Sequence, residues 1–102
     1  IADFEQLTTI DRHNAQAYYG LGLARFSQGN PKQAIKHFKD ARSIDPKNAD
    51  VHEYLMLCYF ATDNIKDAKK SYEDFVDVAN DAQMKELKQN PKFGAVLRVV
   101  EE

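Results

Sequence analysis

The stretch YYGLGLARFSQGNPKQAIKHFKDARSIDP, residues 18–46, decides the fold because its pattern returns 34 positions later as HEYLMLCYFATDNIKDAKKSYEDFVDVAN, residues 52–80. At this offset the packing positions coincide: Leu21 aligns with Leu55, Phe26 with Phe60, Ala34 with Ala68 and Phe38 with Tyr72. A period between about 20 and 50 residues indicates stacked supersecondary units, none of which can bury its apolar face alone.

Local signals predict that each unit is a pair of antiparallel helices. Asn14 suits an N-cap, and the first helix is expected from residue 15 to residue 28. Gly29 suits the left-handed position after a helix, and Asn30 followed by Pro31 suits the start of the next one. That second helix, residues 32–44, stops at Asp45 and carries an apolar stripe opposite a charged face. The stripe consists of Ala34, Ile35, Phe38, Ala41 and Ile44.

The second unit repeats these signals with changes. Asn48 and Asn64 are candidate caps, and Asp63 stands where the first turn has glycine. Residues 54–61 form an unbroken apolar run that periodicity alone would also allow as a buried strand, but the repeat and the caps favour a helix.

Two further helices are expected after Asn80, one ending near Gln89 and one following Pro91. For the last of these, residues 95–100 could also form a strand, but the apolar side chains at helical spacing favour a helix: Phe93, Val96, Leu97 and Val100.

The first residues extend the same register backwards, because Phe4, Leu7 and Ile10 stand 34 positions before Phe38, Ala41 and Ile44. The predicted organisation is one domain: residues 1–14 as the second half of a preceding repeat, 15–48 and 49–80 as repeats, and 81–102 as C-terminal capping helices. The fold class is therefore all-α, a solenoid of antiparallel helix hairpins.

Composition narrows the function classes. The 102 residues contain 14 Lys plus Arg and 16 Asp plus Glu, a formal net charge of -2, which gives no general attraction to nucleic acid. No apolar run approaches the roughly 18 residues that a membrane span needs, so no membrane insertion is expected. The single cysteine, Cys58, cannot form a disulfide within the chain, which is compatible with a reducing compartment. The cytoplasm is therefore the favoured location, with a signal segment lost from the N-terminus as the open alternative.

No constellation of residues points to catalysis. The three histidines, His13, His37 and His52, lie on different predicted elements without Cys, Asp or Glu partners at metal-ligand spacing. Cys58 lies inside the apolar run, where a buried structural thiol is expected. We therefore predict no enzyme, no metal and no cofactor; an enzyme or a nucleic-acid binder is a remote alternative.

The repeated residues resemble the tetratricopeptide repeat, whose 34-residue pattern of aromatic, Leu-Gly, Tyr, Ala-x3-Phe and Pro positions is met at most places. The first unit supplies Tyr18, Leu21, Gly22, Ala34, Phe38, Ala41 and Pro46, and the second supplies Leu55, Tyr59, Ala68 and Tyr72. The first unit departs from the family pattern at Arg25, and the second departs from it at His52, Met56, Phe75 and Asn80. The resemblance covers residues 1–80 and implies hairpins stacked into a right-handed superhelix.

The physical reading agrees with this resemblance. Gly22 in a helix interior costs about 1 kcal/mol relative to alanine, which is tolerable where a neighbouring helix approaches closely. Met56 and Phe75 are large where the first unit has Gly22 and Ala41, so the second pair of helices is expected to sit farther apart or to pack in another register.

The first helix of each unit carries more apolar residues than one packing stripe needs. Tyr19, Leu23 and Phe26 form a second stripe at helical spacing, and residues 54–61 give the second unit a similar surplus. In the family that the chain resembles, these helices line a concave face that binds peptides. The resemblance thus implies a peptide-binding set of Gln16, Tyr19, Leu23, Phe26, Asp50, Glu53, Tyr54, Leu57 and Phe60.

The basic and Asn positions of the family's carboxylate-binding subclass fall here on Tyr19, Leu23, Glu53, Tyr54 and Leu57, which argues against recognition of an acidic C-terminus. The predicted function is a non-enzymatic scaffold that binds an apolar or amphipathic segment of another protein. Two alternatives stay open: the groove is filled by the chain's own residues 93–100, or it forms a homo-oligomer.

Overall fold

The computed structural model describes residues 14–101, and the regular structure in this part of the chain consists of helices joined by short turns, without a strand. The predicted all-α fold is confirmed. The predicted half repeat at residues 1–14 lies outside the described residues except for Asn14. The helices are α1 (Ala15–Ser27), α2 (Pro31–Ile44), α3 (Ala49–Ala61), α4 (Ile65–Val78), α5 (Asp81–Gln89), a 3-10 turn (Pro91–Phe93) and α6 (Gly94–Val100).

Asparagine begins each of the four long helices. Its side-chain oxygen accepts a hydrogen bond from a backbone N–H of the first turn, over distances from 3.0 to 3.5 Å. These contacts satisfy donors that a helix start otherwise leaves without an intrahelical partner. The residues are those predicted: Asn14, Asn30, Asn48 and Asn64.

The two hairpin turns require a left-handed residue at equivalent positions. Gly29 has φ +77°, which glycine adopts without steric cost, and Asp63 has φ +62° in the second turn. The chain therefore keeps the same turn geometry in both units although the second lacks the glycine.

The helices pack as two hairpins, α1 with α2 and α3 with α4, and α2 packs on α3 to join them. The short helix α6 then packs mainly against α4, with a smaller contact to α3. Its apolar side chains are buried in the same core as Leu55 and Phe75: Phe93, Val96, Leu97 and Val100. The strand alternatives for residues 54–61 and 95–100 are wrong, because both segments satisfy their backbone groups within helices.

Gly22 is buried in the first hairpin, where the ring of Phe38 lies directly against it. In the second hairpin Met56 and Phe75 are fully buried, whereas Tyr72, the counterpart of Phe38, is only half-buried. The two hairpins thus fill their interiors with different side chains. In the first, Gly22 leaves space that the ring of Phe38 occupies; in the second, the side chain of Met56 occupies the equivalent space itself.

The sequence placed Ile44 on the packing stripe of α2, and this placement is wrong. Ile44 is 36% exposed, because it is the last residue of α2 and the chain turns away at Asp45 and Pro46. Its helical neighbour on the stripe, Ala41, is fully buried.

Candidate functional site

The outer apolar stripe of α1 and that of α3 supply the candidate site, which we call the α1–α3 surface. Gln16 and Asp50 are exposed, and the other seven predicted residues are half-buried: Tyr19, Leu23, Phe26, Glu53, Tyr54, Leu57 and Phe60. All six apolar members pack against the core with part of the side chain. Helical spacing explains this position, since residues three, four or seven apart lie on one side of a helix.

Tyr54 is the centre of an aromatic cluster that joins the two helices. Its ring centroid lies 6.0 Å from that of Tyr19 and 5.7 Å from that of Phe26, both in edge-to-face arrangements. Phe38 of α2 lies against both tyrosines, stacked on Tyr54 at 5.6 Å and tilted against Tyr19 at 5.8 Å. Such contacts add to the stability gained by burial and hold three predicted site residues in fixed positions.

Phe38 is a supporting residue of the surface that sequence reasoning assigned only to the packing of the hairpin. Its position was recognisable as part of the core, because it lies on the apolar stripe of α2. Its second role depends on Gly22, because the small residue lets the ring lie deep enough to contact both tyrosines.

Carboxyl groups flank the aromatic cluster. Burial raises the pKa of Glu53 to about 7, and the charges of Asp50 and Glu86 act on it in the same direction. The pKa of Tyr19 is raised by burial and by the nearby Asp50, and that of Tyr54 by burial and by Glu53. The phenols and these carboxyl groups therefore share one electrostatic environment.

Glu86 is the member of this environment that the sequence did not predict. Asp50 and Glu53 are three residues apart on one helix, so their proximity follows from helical geometry. Glu86 belongs to α5, and its charge acts on Glu53 of α3 through the tertiary structure, not through neighbourhood in the chain.

The other reactive side chains lie in structural settings. Cys58 is fully buried, and burial raises the pKa of its thiol to about 12. His52 is also buried, and its Nε2 lies 2.7 Å from the carbonyl oxygen of Pro46, so the ring donates to the backbone between the hairpins. Between residues 14 and 101 no three Cys, His, Asp or Glu residues come together as metal ligands would.

A separate cleft of about 380 Å³ lies on another side of the stack. Its lining includes one cation and two carboxylates and belongs mostly to α2 and α4: Arg42, Ser43, Pro46, His52, Asp74, Asp77 and Val78. Asp74 is already paired, with the Nζ of Lys70 at 2.9 Å. The cleft contains none of the predicted site residues.

The class of protein is defined by these paired helices and their period. Residues 25–90 match the family model described as the tetratricopeptide repeat, and the chain belongs to this family. The predicted resemblance to the tetratricopeptide repeat is thereby confirmed. No curated protein matches the sequence.

Solved structures agree on the fold. The chain is similar to the type III secretion chaperone SycD of Yersinia enterocolitica, whose structure was determined in complex with a peptide of the translocator YopD. The TM-score is 0.82 at 20% sequence identity, and the match covers 96% of this chain and 74% of SycD. Within residues 14–101, no helix has the length and apolar character needed to cross a membrane.

Proposed function

We propose that this chain is a non-enzymatic interaction module that binds an apolar or amphipathic segment of another protein on the α1–α3 surface. The observation that carries the proposal is the row of six half-buried apolar side chains on two helices. Side chains that keep part of their apolar area exposed gain free energy when a partner removes that area from water. Membership in the tetratricopeptide repeat family and the peptide complex of SycD support it.

The position of α6 favours an external partner over the chain's own C-terminal segment. Residues 93–100 already bury their apolar side chains in the core, and α6 makes its main contacts with α4 and α3, with none of comparable extent to α1. The aromatic side chains that join α1 to α3 thus keep an exposed part. The proposed domain organisation has residues 1–14 as the second half of a preceding repeat, 15–48 and 49–80 as repeats, and 81–102 as C-terminal capping helices.

A selection of short random peptides displayed on phage tests the proposal, and it does not require a known partner. Peptides enriched on the wild-type chain should be rich in apolar residues and should lose binding to a chain that carries Leu23→Glu and Leu57→Glu. The matched control is Val76→Glu, which changes an apolar residue that is 43% exposed on α4, away from the surface. Binding to this control should remain at the wild-type level.

Both leucines also touch the core, so circular dichroism must show that the double variant is folded. If the glutamates unfold the chain, Leu23→Ala with Leu57→Ala gives the same comparison with a smaller perturbation. Failure to enrich any peptide, or equal binding to both leucine variants and wild type, would overturn the proposal. Light scattering that shows a dimer abolished by the leucine variants would assign the surface to self-association instead.

A further inference from the structure

We infer that the segment bound on the α1–α3 surface presents a lysine or arginine side chain to one end of it, formed by Tyr19, Tyr54, Asp50, Glu53 and Glu86. This inference rests on the proposed function and adds the chemical character of the partner. We call this end the acidic–aromatic end, and the remaining part, with Leu23, Phe26, Leu57 and Phe60, the apolar end.

Three carboxyl groups mark the acidic–aromatic end. Asp50 is exposed, Glu53 is half-buried, and the charge of the exposed Glu86 on α5 also acts on Glu53. Among the described residues, none of the three carboxyl groups forms an ion pair with a Lys or Arg of this chain, and the ion pair of α4, Lys70 with Asp74, lies elsewhere. Like charges held close together raise the free energy of the unbound state, and a cation from a partner would lower it.

The adjoining phenol rings suit the same ligand. Tyr19 and Tyr54 lie edge to face with centroids 6.0 Å apart, and both are half-buried, so each ring keeps an accessible part. A cationic side chain over the face of an aromatic ring is attracted by the ring's quadrupole, and the attraction grows as water is excluded. Rings and carboxylates therefore act in the same direction on one positive charge.

The burial of Glu53 strengthens the argument for charge complementarity. Its carboxyl group retains a proton to about pH 7 because folding removes part of its hydration and places like charges beside it. A partner ammonium or guanidinium placed there would stabilise the ionised form and form a charge-assisted hydrogen bond. The carboxylates of an acidic segment would be repelled by these carboxyl groups, so the surface discriminates against such a segment.

The apolar end fixes the rest of the ligand. Leu23, Leu57 and Phe60 are half-buried and pack against the apolar core with part of each side chain. The partner segment is consequently amphipathic, with apolar side chains next to a basic one, and not a uniformly basic tail. Binding of a uniformly basic segment would leave this apolar area exposed.

The phage selection separates the two proposals. Peptides that bind through the α1–α3 surface should be enriched in Lys or Arg beside apolar residues, relative to the unselected library. Enrichment of apolar peptides with neutral or acidic polar positions would overturn the inference and leave the proposed function intact. Failure to enrich peptides at all would overturn the proposed function itself.

The best selected peptide then serves as the probe in a fluorescence titration against charge-neutralising variants. Asp50→Asn with Glu53→Gln should weaken binding about tenfold, because it removes charge-assisted contacts. Glu73→Gln, at an exposed position of α4, is the matched control and should bind as wild type. Replacement of the peptide's basic residue by a neutral residue of similar length should weaken its binding to the wild type by the same factor. It should not change its binding to the Asp50→Asn, Glu53→Gln variant. If the protein change and the peptide change weakened binding independently, so that their effects added in free energy, the inference would be overturned.

A pH titration supplies a second readout. The groups that interact electrostatically with Glu53 are Asp50 on its own helix, Glu86 on α5, and the phenols of Tyr19 and Tyr54. Burial raises the pKa of Glu53 to about 7, so affinity should rise between about pH 6 and about pH 8 as this carboxyl group ionises. Glu53→Gln should abolish the rise. A peptide affinity that is independent of pH in wild type would contradict the placement of the cation at Glu53.

Discussion

The ring of Phe38 occupies the space that a side chain at position 22 would fill. A Cβ atom placed on Gly22 would lie 2.5 Å from Cε1 and 2.6 Å from Cδ1 of Phe38. Because the same ring stacks on Tyr54 at 5.6 Å, this one glycine links the packing of the first hairpin to the geometry of the α1–α3 surface.

Gly22→Ala should destabilise the protein by about 1–3 kcal/mol, because the overlap with a fully buried ring exceeds the gain of about 1 kcal/mol in helix propensity. Urea unfolding measures the change. Gly94→Ala is the matched control: a Cβ there meets nothing within 4 Å, so this variant should be neutral or more stable. A more stable Gly22→Ala protein would contradict the close approach of Phe38.

Asp63→Gly should stabilise the protein by about 0.5–1 kcal/mol, because Asp63 has φ +62° and glycine adopts this conformation without steric cost. Thermal unfolding followed by circular dichroism gives the shift. Asp63→Ala removes the same charge but keeps a Cβ in the left-handed region, so it should lower the melting temperature. If both variants moved the melting temperature in the same direction, charge and not backbone conformation would be responsible.

The thiol of Cys58 should react with an aromatic disulfide reagent only when the protein opens. It is fully buried, and burial raises its pKa to about 12, so the reactive thiolate is scarce at neutral pH. The labelling rate in native buffer should be orders of magnitude below that in denaturant, and it should rise in Gly22→Ala, which is less stable. Fast labelling of the folded wild type would place the thiol at the surface.

The stability of the protein should depend on pH through Glu53. Its pKa rises from 4.5 to about 7 on folding, mainly by burial, so the folded state binds more protons than the unfolded state between these values. Stability therefore falls as the pH rises from about 4.5 to about 7 and changes no further through this group above that range. The loss is on the order of 1 kcal/mol for a partly exposed group.

The difference between wild type and Glu53→Gln isolates this contribution, because other titrating groups are common to both proteins. The difference in unfolding free energy should grow across that pH range in favour of the glutamine variant. Glu73→Gln, at an exposed position of α4, is the matched control for the loss of one carboxyl group. Parallel curves for wild type and Glu53→Gln would mean that the carboxyl group is well solvated in the folded state.

Much of the fold was predictable because its signals are local. The N-cap oxygens of Asn30 and Asn64 and the left-handed turn at Gly29 act within a few residues of the chain, and each appears where the sequence placed it. The 34-residue period added the stacking of units, since equivalent apolar positions must face equivalent neighbours. The prediction that Ile44 packs in the core was wrong because the exposure of a residue at a helix end depends on the direction the chain takes after the helix.

The sequence by itself determined the helices, their pairing and the surplus apolar stripes of α1 and α3, because helical periodicity and capping are properties of neighbouring residues. Only the tertiary structure decided that Phe38 supports Tyr19 and Tyr54, and that the charge of Glu86 on α5 acts on Glu53. Both relationships join residues far apart in the chain, and they depend on side-chain depth and helix docking, which no local pattern encodes.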